Sequence, residues 1–117
     1  MNFTPIIAAN WKMHKTPNES VKFYKDLKGS FESLINVEII LSVPFTSLNS
    51  FNAEPPFFKA AQNCHWEDSG AYTGEISVQM IKEFGTEYVI DNGYHFSSNG
   101  NKRTAEEYVY PLIKDYV

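Results

Sequence analysis

Short apolar runs alternate with capped, amphipathic segments along this chain, and few architectures accept that order. Residues 5–10, PIIAAN, form an apolar run bounded by Pro5 and Asn10. A helix start follows at once in TPNE, 16–19. There Thr16 can cap the helix, Pro17 suits its first position, and Glu19 completes a capping box. Val21, Tyr24 and Leu27 recur at helical spacing and Phe31 continues the face. VEIILSV (37–43) reads as a second strand, ended by Pro44. TSLNSF (46–51) has room for one or two helical turns before Pro55 and Pro56 stop them. FFKAAQN (57–63) reads as a third strand, SVQMIKEFG (77–85) as a helix ended by Gly85, and TEYVID (86–91) as a fourth strand. TAEEYVYPLIKDYV (104–117) opens on a second capping box, Thr104 to Glu107, and repeats Tyr108, Leu112 and Tyr116 at intervals of four. It predicts a helix kinked at Pro111, where a backbone donor is missing.

Strand followed by helix, four times over, predicts an α/β fold with a parallel sheet and right-handed crossovers. The first strand is apolar throughout, which predicts burial on both of its faces. With 117 residues the chain is one domain, 1–117. Hydrophobic content of 43% and charged content of 21% are those of a globular protein. A net charge of −4 gives nucleic acid no electrostatic attraction. Cys64 has no partner for an internal disulfide, no apolar run is long enough for a bilayer, and the N-terminus lacks the pattern of a signal peptide. These features predict a soluble, cytoplasmic protein with no membrane partner.

In parallel α/β folds ligands bind at the carboxyl ends of the strands. Asn10 and Lys12 lie at such an end. On an extended chain they point to one side, with Trp11 opposite, so the pair is expected to face a pocket with Trp11 packed behind it. A lysine there supplies positive charge for a phosphate or a developing oxyanion. A solvated lysine after a strand is the plainer reading of the same spacing. Gln62 and Asn63 end the third strand similarly and suit loop capping. His14, His65 and His95 have no metal-ligand spacing to one another or to Cys64, so no metal site is expected. The loop CHWEDSGAYTGEIS (64–77) carries Trp66 and Tyr72, which are costly to leave in water, and this predicts burial of the loop by a partner.

The segments AANWKMHKT, PFTSL, AAQNCHWEDSGAYTGEIS and MIKEFGTEYVI resemble, in order, the N-terminal half of the triosephosphate isomerase family. The resemblance covers residues 5–90. It implies half of an eight-stranded (β/α) barrel, a homodimer, and the glycolytic and gluconeogenic interconversion of dihydroxyacetone phosphate with glyceraldehyde 3-phosphate, a phosphorylated three-carbon substrate, without cofactor or metal. Carried over, Asn10 and Lys12 bind substrate, and Lys12 balances the phosphate and enediolate charge. Thr73, at the tip of GAYTGE, reaches into the neighbouring subunit; Glu75 supports that interface and Tyr72 lies in it.

The chain departs from the family after its fourth strand. The family continues Gly-His-Ser-Glu-Arg-Arg, with the His as electrophile, whereas this chain reads IDNGYHFSSNG. Counting from TGE, the His position falls on Gly93; aligned on the glycine it falls on Tyr94. His95 takes the electrophile's place only after a two-residue shift. The family's general base, a Glu on the loop after the sixth strand, has no counterpart in these 117 residues, nor have the lid loop and the Gly-rich phosphate site. The expectation is a half-barrel inactive by itself, whether a truncated product, a diverged paralogue or an engineered fragment. Two alternatives stay open: an isomerase completed by a second half or by self-assembly, and a non-catalytic module that keeps an anion pocket at Lys12. Two open sheet edges and an apolar inner face also predict self-association.

Overall fold

The computed structural model describes residues 4–31, 36–91 and 108–111. The order is β1 (Ile6–Asn10), α1 (Pro17–Ser30), β2 (Glu38–Val43), a 3-10 turn (Phe45–Ser47), β3 (Phe57–Ala61), α2 (Val78–Lys82), β4 (Thr86–Asp91) and β5 (Tyr108–Pro111). The strands lie in one sheet in sequence order. β1, β2, β3 and β4 are parallel neighbours, with Ile7 opposite Ile39 and Ile39 opposite Phe57. The connections between these parallel neighbours carry α1, the 3-10 turn and α2 in turn.

α1 starts as its sequence dictates. The Thr16 hydroxyl accepts from Glu19 N–H, and the Glu19 carboxylate returns the bond to Thr16 N–H. Pro17 occupies the first turn, where its missing donor costs nothing. The buried face centres on Tyr24, with Leu27 and Phe31 half-buried beside it; Val21 stays exposed. The Tyr24 ring stacks on Phe51 at 4.7 Å and meets Phe57 edge-on at 5.5 Å, and its hydroxyl accepts from Glu54 N–H. Ile39, Leu41 and Val43 of β2 join this layer, with Leu48, Ile81 and Val89. On the opposite face Ile40, Ala60 and Ile90 form a smaller buried cluster with Phe58 and Tyr88 against it. α2 is shorter than expected. Ser77 caps it, and a turn at Gly85, with φ +69°, brings the chain into β4.

Lys59, in the middle of β3, is 2% exposed, although its strand reads as apolar. Its ammonium donates to the carbonyls of Leu48 at 2.6 Å, Phe51 at 2.9 Å and Phe84 at 2.5 Å. It thereby satisfies chain ends from two different crossovers. Burial lowers its pKa from the usual lysine value.

Three expectations are corrected. β1 is not buried on both faces. It forms an edge of the sheet, and Ile6 and Ile7 remain 59% and 54% exposed because an edge strand has a neighbour on one side only. Within 104–117, residues 108–111 are strand, not helix, and pair antiparallel with β4, Val89 opposite Tyr110. Tyr-Val-Tyr favours extended backbone, and Pro111 opposes helix while tolerating an edge strand. The remaining residues of that segment, 104–107 and 112–117, lie outside the described residues. β5 covers the β4 edge, so the expected second open edge is closed.

Candidate anion-binding site

The carboxyl ends of β1 and β3 are tied together by side chains that belong to neither helix. Trp11 N–H donates to Ser42 O at 2.9 Å, which carries the β1–β2 ladder one residue past the strand. The Trp11 ring is buried against Phe51, and Phe23 meets it edge-on at 5.4 Å. The chain then turns sharply. Lys12 has φ +56° and Lys15 φ +73°, both in the left-handed region that costs a β-carbon residue about 1 kcal/mol. Two contacts hold the turn. Asn10 Oδ1 accepts from Lys12 N–H at 2.9 Å. The Gln62 amide donates to Lys12 O at 2.8 Å and to Ser42 O at 3.2 Å.

This geometry corrects the extended-chain argument. Lys12 leaves the alternation of β1, and the left-handed turn, not strand pleat, sets its direction. Trp11 does pack behind, as expected. Asn10 lines a cavity of about 440 Å³ on the helix side, together with Ile7, Trp11, Phe23, Leu27 and Phe31; Lys12 is not among its lining residues. Lys12 is exposed at the carboxyl end of the sheet. The acidic groups with shifted titration lie at the other end of the strands. Glu87 is pushed up by burial and then by Glu38, and Tyr88 by burial, Glu38 and Glu87, with the Tyr88 hydroxyl donating to Glu38 at 3.4 Å. Gln62, expected with Asn63 to cap a loop, bonds the backbone of the Lys12 turn and of β2. Its position at a strand's carboxyl end was visible, but its partner 50 residues away was not.

The long connection after β3 is built differently. His65 N–H donates to Ile76 O and Glu75 N–H to Tyr72 O, so the loop closes on itself. His65 stacks on Trp66 at 5.2 Å, leans on Tyr72 at 4.4 Å, and its Nδ1 lies 3.5 Å from Glu75 Oε2. Thr73 and Glu75 are exposed, Tyr72 is 45% exposed and Trp66 83%. Asn63 accepts from Cys64 N–H, the loop-capping role expected of it. Among the described residues no group of His, Cys, Asp and Glu has the arrangement of a metal site.

The family model of triosephosphate isomerase matches residues 5–93. This chain belongs to the triosephosphate isomerase family. The triosephosphate isomerase of Alkaliphilus metalliredigens is 45% identical over 89 residues, covering 74% of this chain and 36% of the relative. That of Dictyoglomus turgidum is 41% identical over 118 residues, covering 92% and 47%. The crystal structure of triosephosphate isomerase from Bartonella henselae is 36% identical with a TM-score of 0.65, covering 74% of this chain and 37% of that one. The chain therefore spans less than half the length of these relatives. The parallel α/β sheet is the part of the family's barrel fold that it carries. Of the residues singled out from sequence, Asn10 and Lys12 come together at one turn, and Tyr72, Thr73 and Glu75 at another. His95 lies outside the described residues. No helix among the described residues is long and apolar enough to cross a membrane.

Proposed function

We propose that this chain supplies the substrate-anchoring half of a triosephosphate isomerase site. Lys12 binds the phosphate of a three-carbon substrate and offsets the charge of the enediolate, and Asn10 holds the turn that presents it. The observation that carries this reading is the left-handed Lys12, clamped by Asn10 and Gln62 at the carboxyl end of the sheet. Strained backbone held by surrounding side chains is characteristic of binding sites. The isomerisation moves a proton between adjacent carbons. It needs a base over the carbon and an electrophile on the oxygens. Neither Asn10 nor Lys12 supplies the base, so the 117 residues alone are silent and turnover requires a completing polypeptide. The altered segment at Gly93–His95 puts the electrophile in the same class of missing parts, unless His95 shifts into place. Neither cofactor nor metal takes part. In this reading 1–117 is a single half-barrel domain acting in glycolysis in the cytoplasm. Tyr72, Thr73 and Glu75 meet a second subunit, and the exposure of Trp66 and Tyr72 supports that role.

Titration with inorganic phosphate and with dihydroxyacetone phosphate, followed at the Lys12 and Gln62 amides, tests the anchoring. Both ligands should shift these signals, and Lys12→Ala should weaken binding about tenfold or more, the effect of losing a charge-assisted contact. Equal binding by the variant sinks the site. Host isomerase is a potent contaminant, so a coupled assay on highly purified chain must show no turnover. Activity that survives purification and disappears in Lys12→Ala sinks the claim of dependence.

A further inference from the structure

The cavity of about 440 Å³ beside Trp11 is apolar along its length and cationic at one end. Its walls include Ile7 and Ala9 of β1, Trp11, Phe23 and Leu27 of α1, and Phe31 just after it. α1 leaves the carboxyl end of β1 and leads to the amino end of its parallel neighbour β2, so it runs back along the strand. Trp11 and Phe23 therefore lie near the Lys12 turn, and Leu27 and Phe31 lie deeper. His14 and Lys15 line the near end, and no acidic residue is among the described residues of the lining. Lys15 is half-buried. Its ammonium sits 4.3 Å from the centre of the Phe23 ring and 5.7 Å from that of Trp11. Among the described residues no carboxylate lies within salt-bridge reach of it. Two aromatic faces hold the charge, and neither neutralises it.

We infer that this cavity is a second ligand site, for a small amphipathic carboxylate. The apolar body lies between β1 and α1, and the carboxylate meets the Lys15 ammonium at the mouth. This site is separate from the Lys12 turn and stands whether or not the chain takes part in isomerisation. Three observations choose the ligand class. The volume falls in the range of small-molecule sites, about 300–1,000 Å³, and the lining has their composition, apolar and aromatic with a few polar groups. The walls are wet, with Ile7 54% and Phe23 39% exposed, so an apolar body gains by removing water from them, whereas a fully polar ligand such as a triose phosphate does not. The charge is one-sided. A carboxylate supplies the partner that Lys15 lacks, an uncharged head leaves the ammonium as it is, and a cationic head meets Lys15 with no acid in the lining to receive it.

Octanoate, octanol and octylammonium share one apolar body and differ in the head. Each is titrated below its micelle concentration into the full 117-residue chain, and the methyl signals of Ile7, Ala9 and Leu27 are followed. Octanoate should shift them saturably and bind roughly tenfold more tightly than octanol, the effect of one charge-assisted contact. Octylammonium should bind most weakly. Lys15→Met keeps an apolar stem over the rings, so it should bring octanoate down to the affinity of octanol and leave octanol unchanged. The head-group comparison on the parent chain needs no variant. Methyl signals of Ile40 and Ile90, on the opposite face of the sheet, should not move. Inorganic phosphate should not displace octanoate. Equal affinity for the three heads, octanoate binding indifferent to Lys15→Met, shifts that spread to Ile40 and Ile90, or displacement by phosphate overturns the inference. So does the absence of a saturable shift, whether the cavity stays empty or a second copy fills it; in the second case the methyl signals change with protein concentration instead. A chain that binds octanoate but not phosphate upholds this site and counts against the Lys12 reading alone.

Discussion

The connection after β1 directs its polar groups down onto the sheet, whereas the connection after β3 directs them onto itself. In the first, Trp11 N–H bonds Ser42, Gln62 reaches Lys12 O, and Trp11 is buried. In the second, the backbone bonds run from His65 to Ile76 and from Glu75 to Tyr72, and Trp66 is left in water. The contrast teaches which part of a site this half-barrel holds unaided. The Lys12 turn is set by groups inside the chain and is preorganised before any ligand arrives, which lowers the ordering cost of binding. The 64–77 loop has a defined shape but an uncovered apolar surface, and such a surface needs something outside the chain.

Both connections stand on β3, so the largest effect should come from beneath them. Lys59→Met keeps the apolar stem and removes the ammonium. The carbonyls of Leu48, Phe51 and Phe84 then lose their donor, at a cost on the order of 1–3 kcal/mol. Urea unfolding should show that loss, and exchange at both connections should speed up together. A stable variant with only one connection loosened would separate them. The pH dependence gives a second measurement. Burial lowers the folded-state pKa of Lys59 below 10.5, so between those two values the unfolded chain holds more protons than the folded one. Stability contributed by this group therefore rises with pH through that window. Lys59→Met should lack the rise, and a slope shared by variant and parent would rule the assignment out.

Gln62→Ala comes next in size and distinguishes the two connections directly. It removes the donor to Lys12 O and Ser42 O, at about 1 kcal/mol, and should weaken phosphate binding several-fold while leaving exchange in 64–77 unchanged. Lys12→Gly should do the reverse on stability. It relieves the left-handed strain and raises stability by about 1 kcal/mol as it abolishes the anion site. If Lys12→Gly proves destabilising, the turn is held by the side chain and not despite it.

The sequence disclosed local order well. Thr16, Pro17 and Glu19 act within four residues, and the structure reproduces their capping box. The parallel sheet followed from strand–helix alternation, because connection length alone decides that geometry. What it concealed depends on distant partners. Lys59 was not singled out from sequence, because the three carbonyls that surround it come from other segments. Pro111 was read as a helix kink because period-four spacing outweighed the extended preference of Tyr108–Tyr110, and pairing with β4 decided otherwise. At Lys12 strict alternation failed for a local reason, since Asn10 accepts from its N–H and bends the chain.

The smallest effect on the Lys12 turn should come from Gly70, and there the self-contained character of the second connection can be measured. Its φ of +145° is open to glycine, and a β-carbon would lie 2.7 Å from Tyr72 Cε2. Gly70→Ala must therefore move the Tyr72 ring away from its contact with His65. The ring is half in water, and no residue of the main core cluster depends on it. The displacement and the backbone strain of a β-carbon residue at that φ should both stay within the loop, at a cost of about 1 kcal/mol. Tyr72 fluorescence and loop exchange should change; the Lys12 amide and phosphate affinity should not. A change in phosphate affinity would mean that the two connections are coupled through the end of β3, with Gln62 the route between them. If instead a subunit contact forms over Tyr72, Gly70→Ala should weaken self-association even though the Lys12 turn scarcely registers it.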